Sequence, residues 1–209
     1  MFYHVAAYRQ LPVASVPLIV SVPSGNFGNL TAGIFAKRIG LPIAKYVAST
    51  NANDVVPEYL RSGEFHPRAA AATYSNAMDV GNPNNFPRLL DLCRNRLEYV
   101  QKEIWGHGAN DQETLAAMKM LYEKFDYIAD PHTAVGVLGW EAYKGQHPEP
   151  AQGLVLATAH PAKFADVVEK AIGTAPPLPD RLAAYLKRDK LSLPISSTYD
   201  DFKEFLLAQ

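Results

Sequence analysis

Apolar positions along the chain fall into short continuous runs separated by stretches of helical spacing. The run Pro17-Leu18-Ile19-Val20 leads through Ser21-Val22-Pro23-Ser24-Gly25-Asn26-Phe27-Gly28-Asn29-Leu30-Thr31 into residues 32–40, where apolar positions recur helically up to Gly40. That order predicts strand, tight turn and helix, with Gly40 as the stop. Residues 43–48 predict a second strand and residues 54–61 a helix, so the segment is a βαβ unit with parallel strands and a right-handed crossover. Upstream, Phe2, Val5, Ala6 and Tyr8 repeat at helical spacing with no N-cap before them, and a chain that opens inside a helix reads as truncated. Residues 63–87 have no period, and a stretch that long in a compact domain is read as a functional loop.

Helical spacing returns in residues 87–94, 96–105 and 111–125, the last with Asp111 as its expected cap. Met118 and Met120 among Leu115 and Leu121 are core positions. Gly106-His107-Gly108 reads as a turn, since one histidine without companions makes no metal site. Residues 126–129 predict a strand followed by a helix from Asp130 through Tyr143. Residues 153–157 predict the last strand, with a helix to Ile172 after Pro161. Thr174-Ala175-Pro176-Pro177-Leu178-Pro179 reads as a stiff linker before helices at 180–188 and 200–208. The expected architecture is α/β, a doubly wound, mainly parallel sheet in residues 1–175, with the linker and helices of residues 176–209 packed on it.

Composition excludes several function classes. Twenty basic against twenty-one acidic residues give a net charge of −1, so neither nucleic acid nor an anionic membrane is expected as a partner. No apolar run reaches about 18 residues and the first ten residues lack a basic n-region, so no spanning helix or signal peptide is read. The single Cys93 forbids an intramolecular disulfide and sits in a helical run as a small buried thiol, which makes a cytoplasmic location the expectation.

The chemistry concentrates in the first turn. A helix N-terminus offers unpaired backbone N–H groups and a partial positive charge, and glycines at 25 and 28 let backbone wrap an anion closely. Ser24, Asn26 and Asn29 add short polar side chains, although Asn29 also reads as a simple helix cap. No Lys-Ser/Thr pair closes the loop and the spacing is not G-x-G-x-x-G, so nucleotide motifs do not apply. A phosphate is the expected ligand. Thr50-Asn51-Ala52-Asn53-Asp54 reads equally as an Asx-rich turn or as ligand contact. His66 and Arg88 are candidates for an anionic substrate or solvated surface groups. Asp130 reads as a helix cap and Thr158 as another.

The run Ser24-Gly25-Asn26-Phe27-Gly28-Asn29, continued as Leu30-Thr31-Ala32-Gly33, closely resembles the loop with which threonine synthases hold the phosphate of pyridoxal 5′-phosphate. The runs Thr50-Asn51-Ala52-Asn53-Asp54, Ser75-Asn76-Ala77-Met78-Asp79, Asn84-Asn85-Phe86-Pro87-Arg88 and Thr158-Ala159-His160-Pro161-Ala162-Lys163-Phe164 are similar to the same family. The resemblance spans nearly the whole chain but only the C-terminal half of the family's enzyme. It implies the large cofactor domain of a fold-type II pyridoxal-phosphate lyase of threonine biosynthesis, acting on O-phospho-L-homoserine and water to give L-threonine and phosphate. It further implies that Ser24, Gly25, Asn26, Phe27, Gly28 and Asn29 bind the cofactor phosphate and that Thr158 meets the pyridine nitrogen. Asp130 and His132 become possible ring or substrate contacts. A hydroxyl at Thr158 cannot hold the ring nitrogen protonated as a carboxylate would, which favours β- and γ-position chemistry.

The family's Schiff-base lysine belongs to a motif upstream of the phosphate loop, and no Phe-Lys-Asp run exists in these residues. Lys163 stands near Thr158 but in a helix start. The chain by itself is therefore expected to be inactive, with a missing N-terminal half as its partner. Two other readings remain. A non-catalytic phosphate-binding module would have no lysine motif in its upstream reading frame. A serine or threonine dehydratase would have a glycine-richer phosphate loop than Asn26-Phe27-Gly28-Asn29.

Overall fold

The computed structural model describes residues 1–186 and 188–208. The chain divides into two compact units, Met1–Pro176 and Pro177–Gln209. In the first unit, β1 (Leu18–Pro23), β2 (Ile43–Thr50), β3 (Ile104–Gly108) and β4 (Gln152–Val155) form one sheet in the order β3-β2-β1-β4, with every pairing parallel. The helices are α1 (Phe2–Tyr8), α2 (Gly28–Arg38), α3 (Val55–Ser62), α4 (Phe86–Leu92), α5 (Leu97–Glu103), α6 (Asp111–Phe125), α7 (Pro131–Gln146) and α8 (Ala165–Ile172), with 3₁₀ turns at Asn76–Met78 and Pro161–Phe164.

Both faces of the sheet are covered, which is why β1 is apolar at nearly every position. Val20 and Val22 pack with Leu30 and Ile34 of α2 in the main core, whereas Ile19 packs with Val47 of β2 and Tyr143 of α7 on the other side. On the α7 side the polar Ser21 is satisfied: its Oγ donates to the Gly136 carbonyl at 2.6 Å and lies 2.8 Å from Ser49 Oγ. A Cβ on Gly139 would sit 1.9 Å from Ser49 Oγ, so α7 lies this close to the strands only because that residue has no side chain.

Several expectations are corrected. The expected helix at 96–105 ends at Glu103, and the chain turns at once into β3, so Gly106-His107-Gly108 is an edge strand rather than a turn. A Cβ on Gly106 would approach Pro57 Cα of α3 to 2.9 Å, so small residues there allow α3 to pack against the strand. Residues 126–129 are not a strand: Asp126 ends α6 in the left-handed region at φ 52° and the segment pairs with nothing in the sheet. The cap of α6 is Asn110, not Asp111, in a reciprocal capping box with Glu113. The cap of α2 is Phe27, and Asn29 lies inside its first turn. Thr158 caps no helix, because His160 precedes the 3₁₀ turn and Phe164 precedes α8.

The second unit holds α9 (Asp180–Leu186) and α10 (Tyr199–Leu207), the latter capped by Thr198 Oγ1 accepting from Asp201 N. The expected helix to Arg188 runs through Lys187, which lies outside the described residues. Among the described residues no helix is long and apolar enough to cross a membrane.

Candidate functional site

The order β3-β2-β1-β4 reverses its direction of growth at β1, and the crevice outside the carboxyl ends of β1 and β4 is where open α/β sheets bind ligands. A cavity of about 290 Å³ lies there, bordered by Ser24 to Asn29 after β1, by Ala77 and Met78, by His132 of α7, and by Thr158 and Lys163 after β4. A larger hollow of about 510 Å³ opens at the amino ends of the strands, around Leu18, Ile43 and Gln152. It has no helix N-terminus, and the smaller one beside the loop after β1 is the candidate site.

The loop after β1 is a cup of unpaired donors. Ser24 N–H donates to Ser49 O at 2.8 Å and its hydroxyl donates to Val22 O at 2.7 Å, so Ser24 ties the loop to the strands. Thr31 N–H donates to Phe27 O at 2.9 Å. Between them the six amides of Gly25 to Leu30 meet no protein acceptor among the described residues. Phe27 turns the row inward by adopting φ 61° and ψ 12°, a left-handed conformation disfavoured for a side chain of its size. Burial of its ring against Phe86, at 6.5 Å between centroids, holds it there.

The two asparagines of the cup face outward. Asn26 Oδ1 accepts from Asn84 N, and its carbonyl accepts from Asn85 Nδ2 at 2.9 Å. Asn29 Oδ1 lies 3.0 Å from Nε2 of the buried His4 on α1. His4 is held below its ordinary pKa chiefly by burial, so it is a neutral donor to Asn29. These side chains bond away from the cup and leave its amides without protein acceptors.

The opposite wall is the 3₁₀ turn Asn76–Met78, and a Cβ on Gly25 would come within 2.6 Å of Met78 Cα. The wall is held by a half-buried polar clasp. Asp79 Oδ1 accepts from Asn51 Nδ2 (2.8 Å), Asn53 Nδ2 (3.1 Å) and Thr73 Oγ1 (2.7 Å), while Asp79 Oδ2 accepts from Thr73 N at 3.0 Å. Asn53 also exchanges two hydrogen bonds with the backbone of Ala71. Asn51 and Asn53 thus fasten the aperiodic loop to the end of β2.

Asp130 is buried behind the pocket rather than on its lining. Its carboxylate caps α7, accepting from His132 N at 2.9 Å, from His132 Nδ1 at 2.8 Å and from the Thr133 hydroxyl. Burial pushes its pKa up, but the donated hydrogen bonds together outweigh burial and hold it below the usual carboxylate range. His132 does reach the lining, as does Thr158. Lys163 is exposed at the pocket, and no other Lys or Arg lines it among the described residues. His66 sits on the surface 3.5 Å from Glu64, and Arg88 braces Asn85 at 3.0 Å, so neither lines the pocket. Cys93 is buried, and burial raises its thiol pKa. Met78, Ala77 and Phe164 also line the pocket; they belong to runs that resemble the family, but the sequence assigns none of them a site role. The tight Gly25–Met78 approach is visible only in three dimensions.

Pyridoxal 5′-phosphate fits these residues on one structural ground: six amides without protein acceptors at the start of α2 suit a phosphate.

The family model "Threonine synthase, C-terminal" matches residues 133–206. The threonine synthase of Serratia marcescens is 44% identical over 207 residues, covering 98% of this chain and 47% of that protein. The crystal structure of threonine synthase from Escherichia coli superposes with a TM-score of 0.87 at 39% identity, over 99% of this chain and 47% of that one. A structure of threonine synthase from Brucella melitensis, determined with PLP bound, gives 0.84 at 31% identity over 98% of this chain and 48% of that one. The chain spans about half the length of the relatives it matches. In sequence and in fold, the chain corresponds to the C-terminal half of the threonine synthases, which are fold-type II pyridoxal-phosphate enzymes.

Proposed function

We propose that this chain is the part of a threonine synthase that holds the phosphate and the ring of pyridoxal 5′-phosphate, in an enzyme converting O-phospho-L-homoserine and water to L-threonine and phosphate. The observation that carries the reading is the row of amides from Gly25 to Leu30 without protein acceptors at the start of α2. Their N–H groups and the helix dipole bind a dianionic phosphate, with the bonds strengthened by the ligand's charge. Ser24, with its own amide already used, anchors the loop to β2. Gly25 keeps the cup pressed to Met78, and Phe27 keeps it curved.

At the other end Thr158 would meet the pyridine nitrogen with its hydroxyl, a neutral partner that would not hold that nitrogen protonated as a carboxylate would. Lys163 adds the pocket's one positive side chain among the described residues and favours an anionic substrate. Asp130 and His132 support the wall from behind. When bound, the cofactor supplies an electron sink for carbanion chemistry on an amino acid. The lysine that would bind it covalently is not among these residues, so the 209-residue chain is inactive by itself in this reading.

Phosphate release from O-phospho-L-homoserine tests this, with the chain and pyridoxal phosphate assayed alone and with an N-terminal half of a relative supplied in trans. Release only in the second case supports the proposal. Release by the chain alone that disappears in Lys163→Ala overturns it and makes Lys163 the catalytic lysine.

A further inference from the structure

His132 is buried at 2% exposure between two walls of the pocket, and both of its ring nitrogens are engaged. Nδ1 lies 2.8 Å from Asp130 Oδ1, and Nε2 lies 3.2 Å from the backbone nitrogen of Ala77. Because an amide nitrogen only donates, Nε2 must carry a lone pair. Because Asp130 is held ionised by its hydrogen bonds, Nδ1 carries the proton. One tautomer of the neutral ring satisfies both contacts. The ring also rests on Phe164, at 4.6 Å between centroids, and Phe164 belongs to the 3₁₀ turn that carries Lys163. The Ala77 amide leads directly into Met78, the residue against which Gly25 closes.

We propose that His132 is a positioning residue: it uses Nε2 as an acceptor to pin Ala77, thereby fixing the Met78 wall against the phosphate cup, and it transfers no proton. The clasp around Asp79 holds the far side of the same turn, so the wall is fastened on both flanks of Met78. Freed from His132, the turn loses its near anchor, and the cup loses the surface that fixes Gly25. The inference rests on the phosphate reading of the cup for its consequence, but not for its geometry.

Two substitutions separate the ring nitrogens. In His132→Gln the side-chain oxygen reaches the place of Nε2 and still accepts from Ala77. In His132→Asn the amide reaches only the place of Nδ1, keeping a donor to Asp130 and losing Ala77. Hydrogen exchange of the Ala77 amide in the full chain reads the clamp directly. Titration with inorganic phosphate reads its consequence, and thermal melting confirms that both variants are folded. The expected result is an Ala77 amide protected in wild type and Gln but exchanging at least 10-fold faster in Asn, with phosphate affinity lowered about 10-fold only in Asn. Unchanged Ala77 protection in folded His132→Asn overturns the proposal, as does equal loss of phosphate affinity in both variants. If wild type binds no phosphate while Ala77 exchange follows the expected pattern, the clamp stands and the phosphate reading of the cup fails.

Discussion

Replacing Gly25 by alanine puts one methyl group against the backbone of Met78, where there is no room for it. The new Cβ would lie 2.6 Å from Met78 Cα and 3.2 Å from both Ala77 O and Met78 C, all backbone atoms. Carbon atoms pack at about 3.5 Å or more, so the deficit is about 0.9 Å. Met78 cannot yield it easily, since its N–H donates to Ser75 O at 2.9 Å and its neighbours are held by His132 and by the Asp79 clasp. The cup therefore moves. A shift near 1 Å takes an amide from about 2.9 Å to beyond hydrogen-bond range of a phosphate oxygen. Each bond to a charged group contributes about 1.5–3 kcal/mol, so one lost bond weakens phosphate binding about 10- to 150-fold. Overpacking destabilises the fold by about 1–3 kcal/mol as well.

Gly28→Ala is the internal control. Its Cβ would meet only Asn85 Nδ2, at 3.4 Å, and alanine suits a helix start better than glycine. Calorimetric titration with inorganic phosphate and thermal melts of both variants check the pair. A Gly25→Ala protein with wild-type affinity would show that the cup does not depend on its contact with Met78.

Other outcomes follow from the same geometry. The folded-state pKa of Asp130 is depressed, so its contribution to stability is full above the unfolded carboxylate value of about 3.9 and is lost as pH falls through the lower folded value. Denaturant melts at a series of pH values should therefore show a steeper acid loss in wild type than in Asp130→Asn, and parallel curves contradict this. Lys163→Ala should weaken phosphate binding about 5-fold at low salt and flatten its salt dependence, measured by titration at two ionic strengths. Asn110→Ala removes half of the capping box and should destabilise the fold by about 1 kcal/mol in a thermal melt while leaving phosphate affinity unchanged.

How much of this was legible in the sequence depended on whether the determining contacts were local. The β1–loop–α2 unit announces itself because a strand buried on both faces is continuously apolar and because two glycines flank the turn. β3 hides because Ile104-Trp105-Gly106-His107-Gly108 follows α5 without a turn, and its glycines answer to α3, distant in sequence. The strand expected at 126–129 failed for the converse reason: its apolar residues lead into the cap of α7 rather than into a ladder. The roles of Asn51 and Asn53 were undecidable from their own neighbourhood, since their partners lie 18 to 28 residues further on. The donor cup was visible as residue types. Its outward-facing asparagines and the used amide of Ser24 were not, because His4, Asn84 and Ser49 determine them.

Amide proton shifts of the nitrogen-15-labelled chain during titration with inorganic phosphate report directly on whether the cup binds the anion. Saturable downfield shifts are expected at consecutive amides from Gly25 to Leu30, with Ser24 and Thr31 nearly unmoved because their N–H groups are already bonded to Ser49 and Phe27. Shifts confined to residues elsewhere, or a loop that stays silent while phosphate binds, would contradict anion binding by the cup.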